Sequence, residues 1–178
     1  AYADWFVNYR KNILDYASLS ETDSAKILIL GGEGITPYLP PDPKNKYQSI
    51  APGDADVDWI NLVRSVKETY SGRIYFALPA GIEFSAPPLF LDEVDGIYFI
   101  LDPGFYATND LKSSLIKIID GPIKETSRIY EKPVIIGFAA PSVSPKVSNQ
   151  IAINESSCLS KSTAWMEWLN QYPVDLQI

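Results

Sequence analysis

The chain has 178 residues, 46% of them hydrophobic, enough to bury a core as one domain or as part of one. Its 22 acids against 15 bases give a net charge of −7 with no basic cluster, so nucleic acid is not an expected partner. With no histidine and a single cysteine, Cys158, the chain cannot supply a Ser-His-Asp or Cys-His triad, His-ligated zinc or an intrachain disulfide.

In chain order, Trp5, Tyr9, Ile13 and Tyr16/Ala17 recur at helical spacing, with Asp4 near the start where an acid suits the helix dipole. They predict an amphipathic helix over 3–19. Residues 26–31 predict a strand, and the continuous apolar run Ile27–Leu30 suggests that it is buried on both faces. Five prolines between 35 and 53, with Tyr38 and Tyr47 among them, predict a long irregular loop. A second helix follows over 56–70, with Trp59, Leu62, Val63, Val66 and Tyr70 on one face and Gly72 as its stop.

The runs Arg73–Leu78 and Gly96–Leu101 predict two further strands, and Pro133–Phe138 a fourth. Between the last two, Asn109 can cap a helix carrying Leu111, Leu115, Ile118 and Ile119, broken near Gly121-Pro122 and resuming toward Tyr130. A Ser-, Pro- and Asn-rich loop covers roughly 141–160, and Ser162 can cap a last helix through Trp165 and Leu169. This order argues an α/β fold with a parallel sheet. No apolar run approaches the roughly eighteen residues of a membrane span.

The strand Ile27–Leu30 ends at Gly31-Gly32-Glu33-Gly34, which leaves one carboxylate at its carboxyl end. In α/β folds that end is where ligands bind and chemistry occurs. Glu33 either serves such a site or faces solvent in a glycine-rich turn. A dinucleotide fingerprint fails, because Pro37 stands where the third glycine belongs and no helix is expected to follow. Asp54, Asp56 and Asp58 alternate as in a calcium loop, but Trp59 occupies the glycine position and Ser65 the closing acid position. They read as a helix cap. No cofactor and no metal is called for.

Paired carboxylates remain. Glycoside hydrolysis uses two, about 5–5.5 Å apart with retention and about 6.5–9.5 Å apart with inversion. Glu33 is one candidate; Asp102, just past the third strand, is the second, or else a turn residue before Pro103-Gly104. Sugar rings pack on flat side chains. Tyr38, Tyr47, Phe84 and Phe105 follow the strands and can line such a surface, whereas Trp5, Trp59 and Trp165 sit at helical spacing and read as core.

Several blocks together resemble the second half of a clan A TIM-barrel glycoside hydrolase, nearest the family 113 β-mannanases. They are Trp5–Ala17 leading into Ile27–Glu33, Trp59–Gly72 leading into Arg73–Ala77, Asp95–Phe99 and Lys132–Ile136, and they span most of 3–140. The resemblance implies a (β/α)8 barrel of which this chain covers about strands four to seven, as a single domain or a fragment of one over 1–178. Strands one to three would then precede Ala1 and strand eight follow Ile178.

The resemblance places Glu33 at the acid/base position, with Gly32 where an asparagine is expected. It places Phe138, or a neighbour within Gly137–Ala140, where the strand-seven nucleophile stands. No carboxylate lies between Lys132 and Asn154. A retaining mechanism cannot run without that nucleophile. Two readings follow: a glycoside hydrolase-like protein that handles an oligo- or polysaccharide, with Glu33 and Asp102 as catalytic candidates and Tyr38, Tyr98 and Phe105 at the sugar; or a non-catalytic carbohydrate-binding or cell-surface structural protein on a degenerate barrel. Both imply an extracellular or cell-surface setting, and missing barrel segments or a partner chain as further partners.

Overall fold

Four strands pair side by side in chain order, all parallel: β1 (Ile27–Gly31), β2 (Arg73–Pro79), β3 (Gly96–Ile100) and β4 (Val134–Gly137). The structure is a computed structural model that describes residues 1–42, 48–80, 82, 84, 88–101 and 111–137. The helices are α1 (Tyr2–Thr22), α2 (Ala55–Thr69), α3 (Leu111–Ile118) and α4 (Lys124–Tyr130). The expected α/β architecture with a parallel sheet is what forms. The last predicted helix, the 141–160 loop and Asn109 lie outside the described residues.

The chain divides into two compact units, one comprising Ala1–Ile100 and Ile118–Gly137, the other Leu101–Lys117 and Phe138–Ile178. The described part of the second is Leu101 and the helical residues Leu111–Lys117. The sheet belongs to the first unit.

Strand alternation sorts the first unit's residues onto two faces. Leu30, Ile74, Phe76, Leu78, Ile97 and Phe99 share one face, and all are buried. The indole of Trp59, from α2 and 0% exposed, stands edge-on to Phe76 with centroids 5.5 Å apart. Phe6 of α1 meets the same indole edge-on at 5.1 Å, and Phe90 packs at 5.5 Å. The apolar stripes of α1 and α2 therefore converge on one aromatic group above this face.

On the opposite face lie Ile29, Tyr75, Ala77, Tyr98 and Ile135. Here the expectation for β1 needs correction. The run Ile27–Leu30 is not buried on both faces: Leu30 is buried, while Ile29 is 43% exposed. Among the described residues β1 pairs with β2 alone, and Ile29 on its second face is open to solvent. β2, flanked on both sides, shows the pattern expected of β1, with Ile74–Leu78 all buried.

Other details of the helices differ from expectation. A 3₁₀ helix over Glu33–Tyr38 replaces the start of the predicted irregular loop, with Pro37 inside it. The Ser49 hydroxyl and Ile50 N–H then bond back to the carbonyls of Leu39 (2.7 Å) and Pro37 (2.8 Å). Asp54 occupies the N-cap position of α2 but makes no side-chain cap bond, and Asp56 instead accepts the Phe90 N–H at 3.2 Å. Gly72 does not end α2 through a left-handed residue. It leaves room for the Tyr70 ring, whose hydroxyl donates to the Ala25 carbonyl at 2.9 Å; a Cβ there would lie 2.2 Å from that hydroxyl. The break near Gly121-Pro122 forms as expected: a π turn over Ile119–Ile123, with Gly121 off helical geometry, joins α3 to α4.

The amino-terminal end of the sheet is held by polar contacts. Asp95 gives its N–H to Ile74 O and accepts the Ile74 N–H on its carboxylate, both at 2.8 Å, which fixes β3 against β2. Lys132 donates to the carbonyls of Asp92 and Val94, holding the end of a 3₁₀ helix (Leu89–Glu93) beside β4. Glu93 accepts two bonds from Arg64 of α2, at 2.6 and 3.1 Å, with Lys67 at 3.6 Å.

Two outcomes test this packing. Trp59→Ala removes the residue on which both helices close and should cost about 3–5 kcal/mol in urea unfolding. The Arg64 hydrogen bonds hold the Glu93 carboxyl below its ordinary value. Their stabilisation is therefore fully present above the unfolded glutamate pKa and is lost as pH falls through the folded one. Arg64 is 59% exposed, so Arg64→Leu should cost only about 0.2–1 kcal/mol at pH 7. The difference between variant and parent should shrink when unfolding is repeated at acid pH.

Candidate active site

The carboxyl end of β1 turns through two glycines in the left-handed region, Gly31 at φ +86° and Gly32 at φ +136°. L side chains rarely adopt such angles. At Gly31 close approach adds to this, since a Cβ would lie 2.5 Å from the Ala77 carbonyl oxygen and 3.1 Å from the Phe76 ring. Gly32 has open space around it, so its requirement is conformational alone.

The turn is tied on several sides. The Gly32 N–H donates to Ala77 O and the Ile35 N–H to Gly32 O, both at 3.3 Å. The Gly31 N–H donates to the Tyr9 hydroxyl at 2.9 Å. Burial pushes the Tyr9 phenol up to about 12, against the opposing pull of that N–H, so it stays neutral across the ordinary pH range. Glu33 opens the 3₁₀ helix directly after this turn. Its backbone is thus delivered to the carboxyl end of the sheet, while its side chain lies outside the described atoms. The helix missing from the dinucleotide motif is replaced by six residues of 3₁₀ helix that begin with an acid, a poor seat for a phosphate.

Tyr38 ends the same 3₁₀ helix. Its ring stacks on Trp5 at 3.6 Å and 5°, and its carbonyl accepts the Trp59 indole N–H at 3.1 Å. One face of Tyr38 is therefore taken by α1. Trp5, read from its spacing as core, is half-buried and belongs to this rim pair, while Trp59 is core as expected.

Tyr98 lies on β3 in the row Gly31–Ala77–Tyr98–Ile135, on the face opposite the helices. Two strand spacings put its backbone roughly 10 Å across the sheet from Gly31. Its half-buried ring leans over β4, where a Cβ on Gly137 would lie 1.7 Å from the Tyr98 hydroxyl oxygen. A tyrosine–glycine match of the same kind recurs one strand earlier, where the Tyr75 ring covers Gly96. Phe84 is half-buried after β2. Asp102, Phe105, Tyr47 and Phe138 lie outside the described residues. Among the described residues no three acids or cysteines gather to hold a metal, and no helix is long and apolar enough to cross a membrane.

Periodicity placed Tyr9 in the apolar stripe of α1 and missed its hydroxyl. Gly137, which gives Tyr98 its place, read as a strand residue beside the expected nucleophile position and not as the seat of a ring. A tyrosine in a helix stripe beside a strand that ends in paired glycines is the signal that was there to use.

No protein-family model and no curated protein sequence matches the chain. Solved structures do. A GH113 β-1,4-mannanase superposes with a TM-score of 0.54 at 18% identity, covering 96% of this chain and 48% of that one. The GH113 β-mannanase AaManA from Alicyclobacillus acidocaldarius, in complex with ManMIm, gives 0.54 at 17%, covering 92% and 48%. A complex structure of a GH113 β-1,4-mannanase gives 0.55 at 18%, covering 87% and 48%. The fold is thus similar to that of the GH113 glycoside hydrolases, and the chain spans about half their length.

The Tyr98–Gly137 contact yields a direct check. Gly137→Ala should destabilise by about 1–3 kcal/mol, because the ring cannot withdraw without losing its packing. Tyr98→Ala in the same chain should remove most of that added cost in a double-mutant cycle.

Proposed function

We propose that this chain is a glycoside hydrolase-like, carbohydrate-active protein, part of a (β/α) barrel, that binds a mannan-type oligo- or polysaccharide at the carboxyl end of its sheet. The observation that carries the reading is the turn at Gly31-Gly32, which spends two left-handed glycines and a tyrosine hydroxyl to bring Glu33 to that end. Similarity to GH113 β-mannanase folds over most of the chain supports the substrate class. In this reading Glu33 is the general acid/base that protonates the leaving glycosidic oxygen and then deprotonates the incoming water. Asp102 is the second acid that the sequence offers, and Tyr38, Tyr98 and Phe105 are the aromatic and hydroxyl contacts to the sugar. Barrel segments outside this chain complete the sheet, and the setting is extracellular or at the cell surface.

One observation favours a second reading, a carbohydrate-binding protein that does not hydrolyse. Gly137 ends β4, and no carboxylate follows it before Asn154. The retaining mechanism lacks its nucleophile there.

One pair of measurements separates the readings. β-1,4-mannohexaose is titrated calorimetrically into the chain and product release is followed by chromatography, for the parent and for Glu33→Gln. Hydrolysis by the parent, abolished in Glu33→Gln with binding kept within about threefold, supports the catalytic reading. Binding without products in both supports the second. Full turnover by Glu33→Gln removes Glu33 from the mechanism, and absence of binding removes the sugar proposal.

A further inference from the structure

The last N–H of β1 has an unusual partner. Gly32 and Lys26 bond across to β2, through Ala77 and Arg73. By strand alternation the N–H of Gly31 points to the other edge of β1, away from β2. A side chain from α1 meets it there, with the Tyr9 hydroxyl as acceptor at 2.9 Å. The ring that carries this hydroxyl is itself held. It stacks on Trp5 at 4.8 Å and 12°, and it meets the Trp59 indole at 5.5 Å and 64°. Phenylalanine would fill the same stripe. Only a tyrosine reaches the backbone at the point where the chain leaves the strand.

We propose that Tyr9 is a positioning residue for the Glu33 turn. Its hydroxyl holds Gly31 from the α1 side, while on the β2 side the Ala77 carbonyl accepts the Gly32 N–H and leaves Gly31 no room for a Cβ. Gripped between the two, Gly31 and Gly32 have one path, and the 3₁₀ helix beginning at Glu33 starts in one direction. Tyr9 acts through the backbone of Gly31 and touches no sugar. This role rests on the reading of Glu33 as the acid/base, and catalysis is sensitive to displacements of such a group far smaller than those that unfold a protein.

The test is Tyr9→Phe in the full chain, with amide hydrogen exchange as one readout and kcat and KM on β-1,4-mannohexaose as the other. Loss of this half-buried hydrogen bond should speed exchange at Gly31 by about tenfold, while the β2 amides Ile74–Leu78 stay within about twofold. Where the parent turns over, kcat should fall by about tenfold with KM within about threefold, since a group acting through the acid/base affects the transition state and leaves sugar contacts alone. Gly31→Ala, which disturbs the turn from the Ala77 side with Tyr9 intact, should reproduce the kcat loss. Unchanged exchange at Gly31 in Tyr9→Phe overturns the proposal. So does a uniform loss of protection across α1, β1 and β2, which marks a merely structural role, or a loss confined to KM. If the parent neither binds nor cleaves mannohexaose, the sugar reading fails, and the exchange result by itself upholds or overturns the hold of Tyr9 on the turn.

Discussion

The Trp59 indole joins the core beneath the sheet to the rim at its carboxyl end. Its ring takes Phe6 from α1 and Phe76 from β2 edge-on, and its N–H donates to the carbonyl of Tyr38 at the rim. A fully buried indole has one polar atom, and leaving it unpaired costs about 1–3 kcal/mol. Bonding it to Tyr38 satisfies the atom and pins the end of the 3₁₀ helix that starts at Glu33. Burial of the core and placement of the rim are thus one event. The stack of Trp5 on Tyr38, and of Tyr9 on Trp5, extends the same aromatic group to the hydroxyl that meets Gly31.

The two faces of the sheet differ in how they are closed. Toward the helices, every position from Leu30 to Phe99 is filled by large apolar side chains. On the other face the strands alternate rings with glycines: Tyr75 over Gly96, then Tyr98 over Gly137. Such pairing avoids crowding, because each ring occupies the space that a neighbouring side chain would need. Ile29, exposed at the β1 end of this face, lies where that pairing stops.

Much of the fold was legible because apolar periodicity is a local signal. Four strands and the helices around them follow from runs such as Arg73–Leu78 and from the Trp59–Val66 stripe. The break at Gly121-Pro122 was legible too, since glycine and proline act on their own backbone. Burial of β1 was misread because Ile27–Leu30 is as apolar as β2, and sequence cannot say which strand has two neighbours. The reason for Gly72 was missed for a related cause. Its requirement comes from the Tyr70 ring above it, a contact that no turn rule encodes.

The site was legible only as far as its backbone. Paired glycines after an apolar run announce a turn at a strand's carboxyl end, and that much follows from residue type. What aims the turn does not. Tyr9 is twenty-two residues from Gly31 in the chain, and its hydroxyl gains meaning only once α1 folds back along β1. The rim and the core beneath it therefore answer to different constraints. Rim side chains can change without disturbing the core, while the aromatic scaffold beneath the rim stays under the separate constraint of core packing. A chain that has lost turnover would on this argument keep Trp59, Tyr9 and the Gly31-Gly32 turn, because removing any of them disturbs the same aromatic group that closes the sheet.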